Sequence, residues 1–332
     1  MRQDESRRSK VPEGYDILGD VHGKRAALEG MLGRLGYVEH EGAYRHPSRI
    51  AIFAGDLIDR GDDVLGVLEI VRAMVNAGSA RAVLGNHEYN LLCWLTRSPE
   101  DPRMWLRSRT AVHRKQQERT LPAFTDGRNG DFLEWLKDLP LWLDLGHVRV
   151  VHACWDERSM ADLGGATTLR AARFGTFERR GNPVGMALET LLSGPEIRMP
   201  LGLSYPDRQG IVRTAFRARW WKREPGIRYA DLTMPGPRNM PDETVPEQLV
   251  LALPGYDPAG PPLFVGHYGY REYPGLMAPN IACVDYGNGR SIGAYRWNGE
   301  RTLVKSGLVL PDPATDHDSL PAPHDAAEED AS

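Results

Sequence analysis

Only three cysteines occur in 332 residues, Cys93, Cys154 and Cys283, and no two of them form a Cys-x-x-Cys pair. They are too few and too scattered for a disulfide framework or a structural zinc site, which fits a reducing, cytoplasmic setting. The chain has no stretch of 18 consecutive apolar residues, and the opening MRQDESRRSK has no apolar segment behind its basic residues. Membrane spanning and export are therefore not expected. A strong charge of either sign is also missing. The formal net charge of −4 argues against nucleic-acid binding by bulk electrostatics and leaves only a local basic patch open. What remains is a chain with 41% hydrophobic residues, enough for a sizeable core.

Residues 1–13 are charged and read as a flexible N-terminus, ahead of a main domain over 14–310. Tyr15–Leu18 is a short apolar run that stops at Gly19-Asp20, as a buried strand does. From Lys24 to Leu35, apolar residues at 27, 28, 31, 32 and 35 recur at helical spacing, and Gly36 follows as a C-cap. The unit repeats with a strand over Ile50–Ala54, a loop over Gly55–Asp63 and a helix over Val64–Val75. A strand over Arg81–Leu84 and a helix over Glu88–Leu95 come next. This alternation predicts an α/β fold with largely parallel strands, at whose carboxyl ends ligands collect.

Farther along, the pattern predicts a helix at Phe132–Leu136, paired strands around 141–152 and a helix at Met186–Leu192. Strands are expected at Leu263–Val265, Ile281–Asp285, Ile292–Trp297 and Thr302–Val304. Pro, Gly and Arg interrupt most of 155–260, which reads as an irregular insertion or cap. Residues 311–332, rich in Pro, Ala, Asp and Glu, read as a disordered acidic tail.

The loops after the first three strands carry GDVHG at 19–23, GDLIDRG at 55–61 and LGNHE at 84–88. Glycine lets each loop turn sharply off its strand, so that Asp20, His22, Asp56 and Asn86 converge above the sheet. Two histidines, His152 and His267, follow apolar runs of their own and can join them. These oxygen and nitrogen donors suit borderline divalent ions rather than calcium. Asp56 is placed to bridge two ions, with Asp20 and His22 on one and Asn86, His152 and His267 on the other. Two such ions activate water to hydroxide near neutral pH and clamp phosphoryl oxygens.

In order and spacing, these blocks resemble the calcineurin-like metallophosphoesterases, in their phosphoprotein phosphatase and diadenosine tetraphosphatase branch. The resemblance is dense over 15–90 and rests beyond that on VVHAC and VGHY. It implies a central β-sandwich flanked by helices, and a metal-dependent hydrolase of phosphoric esters or anhydrides. It further implies two divalent metal ions, manganese first, with iron, zinc, nickel, cobalt or magnesium as alternatives. His87 would protonate the leaving group, Asp59 would orient His87, and Arg60 would hold the substrate phosphate. Two departures lean away from a eukaryotic-type protein phosphatase: Leu84 stands where an Arg is usual, and the His152 block reads HAC. The implied substrate is a phosphoprotein or a nucleotide. The alternatives are a nucleic-acid end-processing phosphatase, drawing on basic stretches at 103–119 and 213–228, or a metal-binding scaffold without turnover.

Other polar residues read more plainly. His113 and His147 are expected at the surface, Asp285 as a turn residue after its strand, and Cys154 in packing. Arg213, Arg217, Arg219, Lys222, Arg223 and Arg228 around Trp220 and Trp221 allow two readings: a phosphate clamp or base-stacking platform, or a solvated helix face anchored by the tryptophans.

Overall fold

An apolar strand with no polar face needs cover on two sides, and the fold provides it by stacking two sheets. The computed structural model describes residues 12–200, 202–206, 212–234, 240, 243–269, 275–286 and 291–311. Apart from residues 12, 13 and 311, the two terminal segments expected from the sequence lie outside these. Up to Leu95 the elements are β1 (Gly14–Leu18), α1 (Arg25–Arg34), β2 (Val38–His40), β3 (Ala43–Arg45), β4 (Arg49–Phe53), α2 (Val64–Asn76), β5 (Ala80–Ala82) and α3 (Asn86–Leu95). Then come α4 (Ala111–Gln116), α5 (Gly130–Asp138), β6 (Trp142–Asp144), β7 (Arg149–Val151), α6 (Glu157–Asp162) and α7 (Pro183–Ser193). Short pieces follow: β8 (Glu196–Arg198), β9 (Tyr205–Pro206), β10 (Val212–Arg213), β11 (Ala215–Ala218), α8 (Tyr229–Leu232), β12 (Thr233–Met234) and α9 (Glu247–Ala252). The chain closes with β13 (Leu263–Val265), β14 (Leu276–Ala278), β15 (Ile281–Cys283), β16 (Ala294–Trp297) and β17 (Leu308–Val309).

One five-stranded sheet has the order β17-β16-β1-β4-β5 and the other β14-β15-β13-β7-β6. In the first, β1, β4 and β5 run parallel; in the second, β7, β13 and β15 do. Alternate side chains of both sheets meet in a shared core that includes Ile17, Ile52, Val83, Val150, Phe264 and Ala282, all fully buried. Burying each large side chain there contributes about 1.5–3 kcal/mol. The opposite face of the first sheet, with Leu18 and Phe53, packs on Leu28 and Leu32 of α1 and on Val67, Leu68 and Val71 of α2. The outer face of the second, with Val151, Val265 and Cys283, packs on a three-stranded sheet of order β12-β11-β8 and on Trp220.

Three readings from the sequence need correction. No strand forms over Thr302–Val304, because the Val304 amide donates to the Tyr295 hydroxyl (2.9 Å) and not to a neighbouring strand. The chain instead pairs Leu308–Val309 with Ala294–Tyr295. The stretch 213–228 is strand and turn with only the start of α8 beyond it, so the basic residues do not line a helix face, although Trp220 is a fully buried anchor. Third, α3 begins at Asn86, two residues before the expected start, with Gly85 as its N-cap. The β2–β3 hairpin, turning at Glu41 and Gly42 with positive φ at both, was signalled by little more than a Glu-Gly pair.

Candidate active site

Each sheet contributes the carboxyl ends of its three parallel strands to one place. Asp20 and His22 follow β1, Asp56 follows β4, and Asn86 follows β5; His152 follows β7, His267 follows β13, and Asp285 follows β15. The six residues expected as ligands are thus brought together across the seam between the sheets. The backbone is bent to achieve this: His22, Asp56, Asp59, Arg60 and His267 all have φ between 50° and 69°. Such left-handed backbone on bulky residues is strained and persists only where the surroundings enforce it. Part of that enforcement is close approach, since a Cβ on Gly85 would run into the amide and carboxylate of Asp56.

Asp56 lies at the centre. Its Oδ2 is 3.9 Å from His22 Nε2 and 3.7 Å from His87 Nε2, whereas its Oδ1 is 3.3 Å from His152 Nε2. Asn86 Oδ1 lies 2.9 Å from both His152 Nε2 and His267 Nδ1. Asp20 sits 3.8 Å from His22 Nε2 and accepts the His267 amide on both its oxygens (3.2 and 3.3 Å). Two groups here can hold a metal ion, His22–Asp56–His87 and Asp56–His152–His267, and they share Asp56.

The donor chemistry fits a pair of divalent cations. His22 Nδ1 and His152 Nδ1 donate to the Ile58 and Ala54 carbonyls (3.0 and 2.7 Å), which leaves each Nε2 as a lone pair aimed at the cluster. His22 Nε2 and His267 Nε2 are buried without a hydrogen-bond partner. Burial, with the charges of His87 and Arg60, holds His22 well below the usual imidazole range; burial, Arg217 and His152 do the same to His267. Both therefore stay neutral and able to ligate. Burial and the carboxylates of Asp285 and Asp56 push Asp20 well above its ordinary value, the signature of a place short of positive charge.

His87 differs from these histidines. Its Nδ1 meets a carboxylate, Asp59 Oδ2, at 2.6 Å. Burial pulls its imidazole down, but Asp56 and Asp59 outweigh burial and leave it above its ordinary value. Asp59 is fixed in turn: its amide donates to Thr120 Oγ1 (3.0 Å), and the Thr120 hydroxyl donates to Asp59 Oδ1. Arg60 is exposed at the rim, where its charge acts on Asp20, His22 and His87. Asn86, His87 and His267 are half-buried and form the open side of the cluster.

The sequence profile of the calcineurin-like phosphoesterases matches residues 15–229 of the chain. This protein belongs to that family. Among curated relatives, the asymmetrical bis(5'-nucleosyl)-tetraphosphatase PrpE of Oceanobacillus iheyensis is 32% identical over 142 residues, 42% of this chain and 54% of that protein. The enzyme of the same name from Halalkalibacterium halodurans is 45% identical over 74 residues, 22% of this chain and 30% of that protein. The chain thus spans about half the length, or less, of these two relatives. The symmetrical bis(5'-nucleosyl)-tetraphosphatase of Vibrio parahaemolyticus is 24% identical over 301 residues, 88% of this chain and 98% of that protein.

Within this member of the family, the sequence reading missed Thr120 and the role of Glu88, gave Arg217 only as one of six basic residues open to two readings, and took Asp285 for a turn residue. Glu88 is fully buried and clasps the loop behind Asp56: Oε1 accepts the Leu57 and Ile58 amides (2.8 and 3.1 Å), and Oε2 accepts those of Asp56 and Gly85 (3.0 and 2.9 Å). Burial and Asp56 push its carboxyl up to about 7, against the pull of His87, His152 and the Ile58 amide. Thr120 stands 61 positions from the Asp59 it fixes, and no motif marks it. Arg217 acts on His267 from β11. Asp285 does end its strand, but it is also buried: Oδ2 accepts the Gly269 amide (2.6 Å), while Oδ1 has no hydrogen-bond partner. His147 is exposed as expected, clustered with the rings of Tyr15 and Trp297, His113 is half-buried, and Cys154 is fully buried.

Among the described residues, no helix is long and apolar enough to cross a membrane.

Proposed function

We propose that this chain hydrolyses a phosphoric ester or anhydride with two divalent metal ions, manganese foremost. Asp20, His22 and Asp56 would hold one ion, and Asp56, Asn86, His152 and His267 the other. The observation that carries this reading is Asp56, whose two oxygens face the two donor groups separately. Ions bound there would supply positive charge to the phosphoryl oxygens and an activated water.

The chain's own residues do the rest. His87 protonates the leaving oxygen, since its Nδ1 is tied to a carboxylate and its ring lies on the open side of the cluster. Asp59, locked by Thr120, orients it and favours its protonated form. Arg60 takes the phosphate from the rim, and Arg217 supplies a second positive charge beside His267. Residues 155–260 act as the insertion that shapes access, carrying Arg217 and Trp221 towards Tyr268. The favoured substrate is a nucleoside polyphosphate rather than a phosphoprotein. Supporting this are the names of the relatives, Leu84 and the HAC block. The three free, buried cysteines fit a cytoplasmic enzyme.

Metal-free protein should gain turnover of phenyl phosphate, whose poor leaving group needs a proton, when manganese is added, and Asn86→Ala or His87→Asn should remove most of it. Turnover that needs no metal, or that survives both substitutions, would sink the proposal. Catalytic efficiencies on diadenosine tetraphosphate, a phosphopeptide and a phosphorylated oligonucleotide would rank the substrates.

A further inference from the structure

Beyond the end of α3, three guanidinium groups are stacked on two indoles. Arg97 lies 3.7 Å and Arg109 3.3 Å from the centre of the Trp105 ring, so they must occupy its opposite faces. Arg109 also lies 5.1 Å from the Trp94 ring, and Arg114 lies 5.9 Å from it. Backbone carbonyls fix two of the three: Arg109 donates twice to Trp94 O (3.3 and 2.9 Å) and Arg97 to Arg103 O (3.1 Å). All three arginines are exposed, and among the described residues none of them pairs with a carboxylate. Asp101, in the intervening turn, is taken by Arg103 at 2.9 Å. Burial and then the like charges of Arg97 and Arg114 lower Arg109 below its ordinary value.

A surface that only needed packing or solubility would have little reason to gather three positive charges, two of them anchored, without an acid. Stacking occupies the faces of the guanidinium planes, and the in-plane N–H groups that the backbone carbonyls do not take, on Nη1 of Arg109 and on Nε and Nη2 of Arg97, are donors of the kind that pair with phosphate oxygens. Met104 and Val112 are exposed beside the ladder and offer apolar contact to whatever lies along it. The ladder is also tied to the site through α3. His87 lies at the start of α3 and Trp94 seven residues on, about 10 Å along the axis. The segment returns from α4 to Thr120, which fixes Asp59.

We propose that Arg97, Arg109 and Arg114 form a binding surface for the phosphodiester backbone of a single-stranded nucleic acid, set to lead one end of the strand towards His87. A phosphate polymer is favoured over an acidic peptide because the helix that carries Trp94 starts at Asn86 and His87, in a site whose donors suit phosphoryl oxygens. The binding stands by itself; only its link to His87 rests on the phosphoesterase reading.

The test uses the full chain in EDTA and a fluorescein-labelled, unphosphorylated 12-nucleotide single strand, followed by anisotropy across a salt series. The triple variant R97Q/R109Q/R114Q should bind at least tenfold more weakly, with a log–log salt slope reduced by about 2 for three lost contacts. Arg114→Glu, which removes one exposed side chain, should weaken binding several-fold and cannot be dismissed as misfolding. Aryl phosphate turnover with metal should be unchanged in both variants, since neither touches the reacting groups. Absent binding by the wild type, equal binding by the triple variant, or equally tight binding of a polyglutamate peptide would each overturn the proposal. Strand binding without any aryl phosphate turnover would overturn the phosphoesterase reading and leave the surface intact.

Discussion

Asp59→Asn tests the heart of the site with the loss of one charge. Thr120 donates its hydroxyl to Asp59 Oδ1 and holds that atom as the acceptor, so the new amide NH2 would face His87 Nδ1. Nδ1 must then accept a hydrogen bond where it now donates, which leaves the proton on Nε2 of a neutral ring, a far weaker acid than an imidazolium. A buried charge-assisted bond of 2.6 Å is lost, which by itself is worth about 1.5–3 kcal/mol. That converts to roughly 10- to 150-fold in kcat. Complete loss of general-acid catalysis would extend this to about 10⁴-fold. The loss should depend on the leaving group, because a good one needs no proton. Turnover of phenyl phosphate should collapse, whereas that of an aryl phosphate with an acidic phenol should change by only a few-fold. Equal losses on both would mean that the variant merely distorts the site, and the general-acid role of His87 would be refuted.

Asp285→Asn should act oppositely on the two states of the protein. It removes like charge beside Asp20, so metal-free protein should melt at a higher temperature, while manganese, titrated by the paramagnetic resonance of the free ion, should bind at least tenfold more weakly. A parallel fall in both quantities would contradict the charge argument. Gly85→Ala would place a methyl against Asp56, and isothermal titration should show manganese binding abolished even if the circular dichroism spectrum is unchanged; retained binding would mean the loop yields easily. Burial pushes the Cys93 thiol up to about 12 and holds Cys154 and Cys283 well above the usual range, so all three stay protonated at pH 8. A disulfide reagent should titrate none of them until denaturant is added, and prompt reaction of any one would show that its burial is wrong.

The sequence made the site more legible than its surroundings. Asp20, His22, Asp56, Asn86 and His87 could be read because each lies within a few residues of a buried strand, where apolar run, glycine and ligand stand side by side. His152 and His267 were readable for the same reason, as isolated histidines just past apolar runs. Thr120 was not, and Arg217 could not be singled out from the five basic residues around it, because their partners are fixed only by tertiary packing across many residues. Glu88 was visible as part of GNHE, but nothing local reveals that its carboxylate gathers amides from the loop after β4. The sheet of β8, β11 and β12 was illegible because strands of two to four residues are too short to show a period of two.

Because each sheet contributes three strand ends to the site, the ion held by Asp56 and Asn86 from one sheet and His152 and His267 from the other would rivet one half of the sandwich to the other. Its binding energy would then count towards the lifetime of the whole protein as well as towards turnover. At a free metal concentration a thousand times the dissociation constant, that linkage adds about 4 kcal/mol to global stability. A cell short of metal would on this view lose the protein to proteolysis, and its abundance would report metal supply.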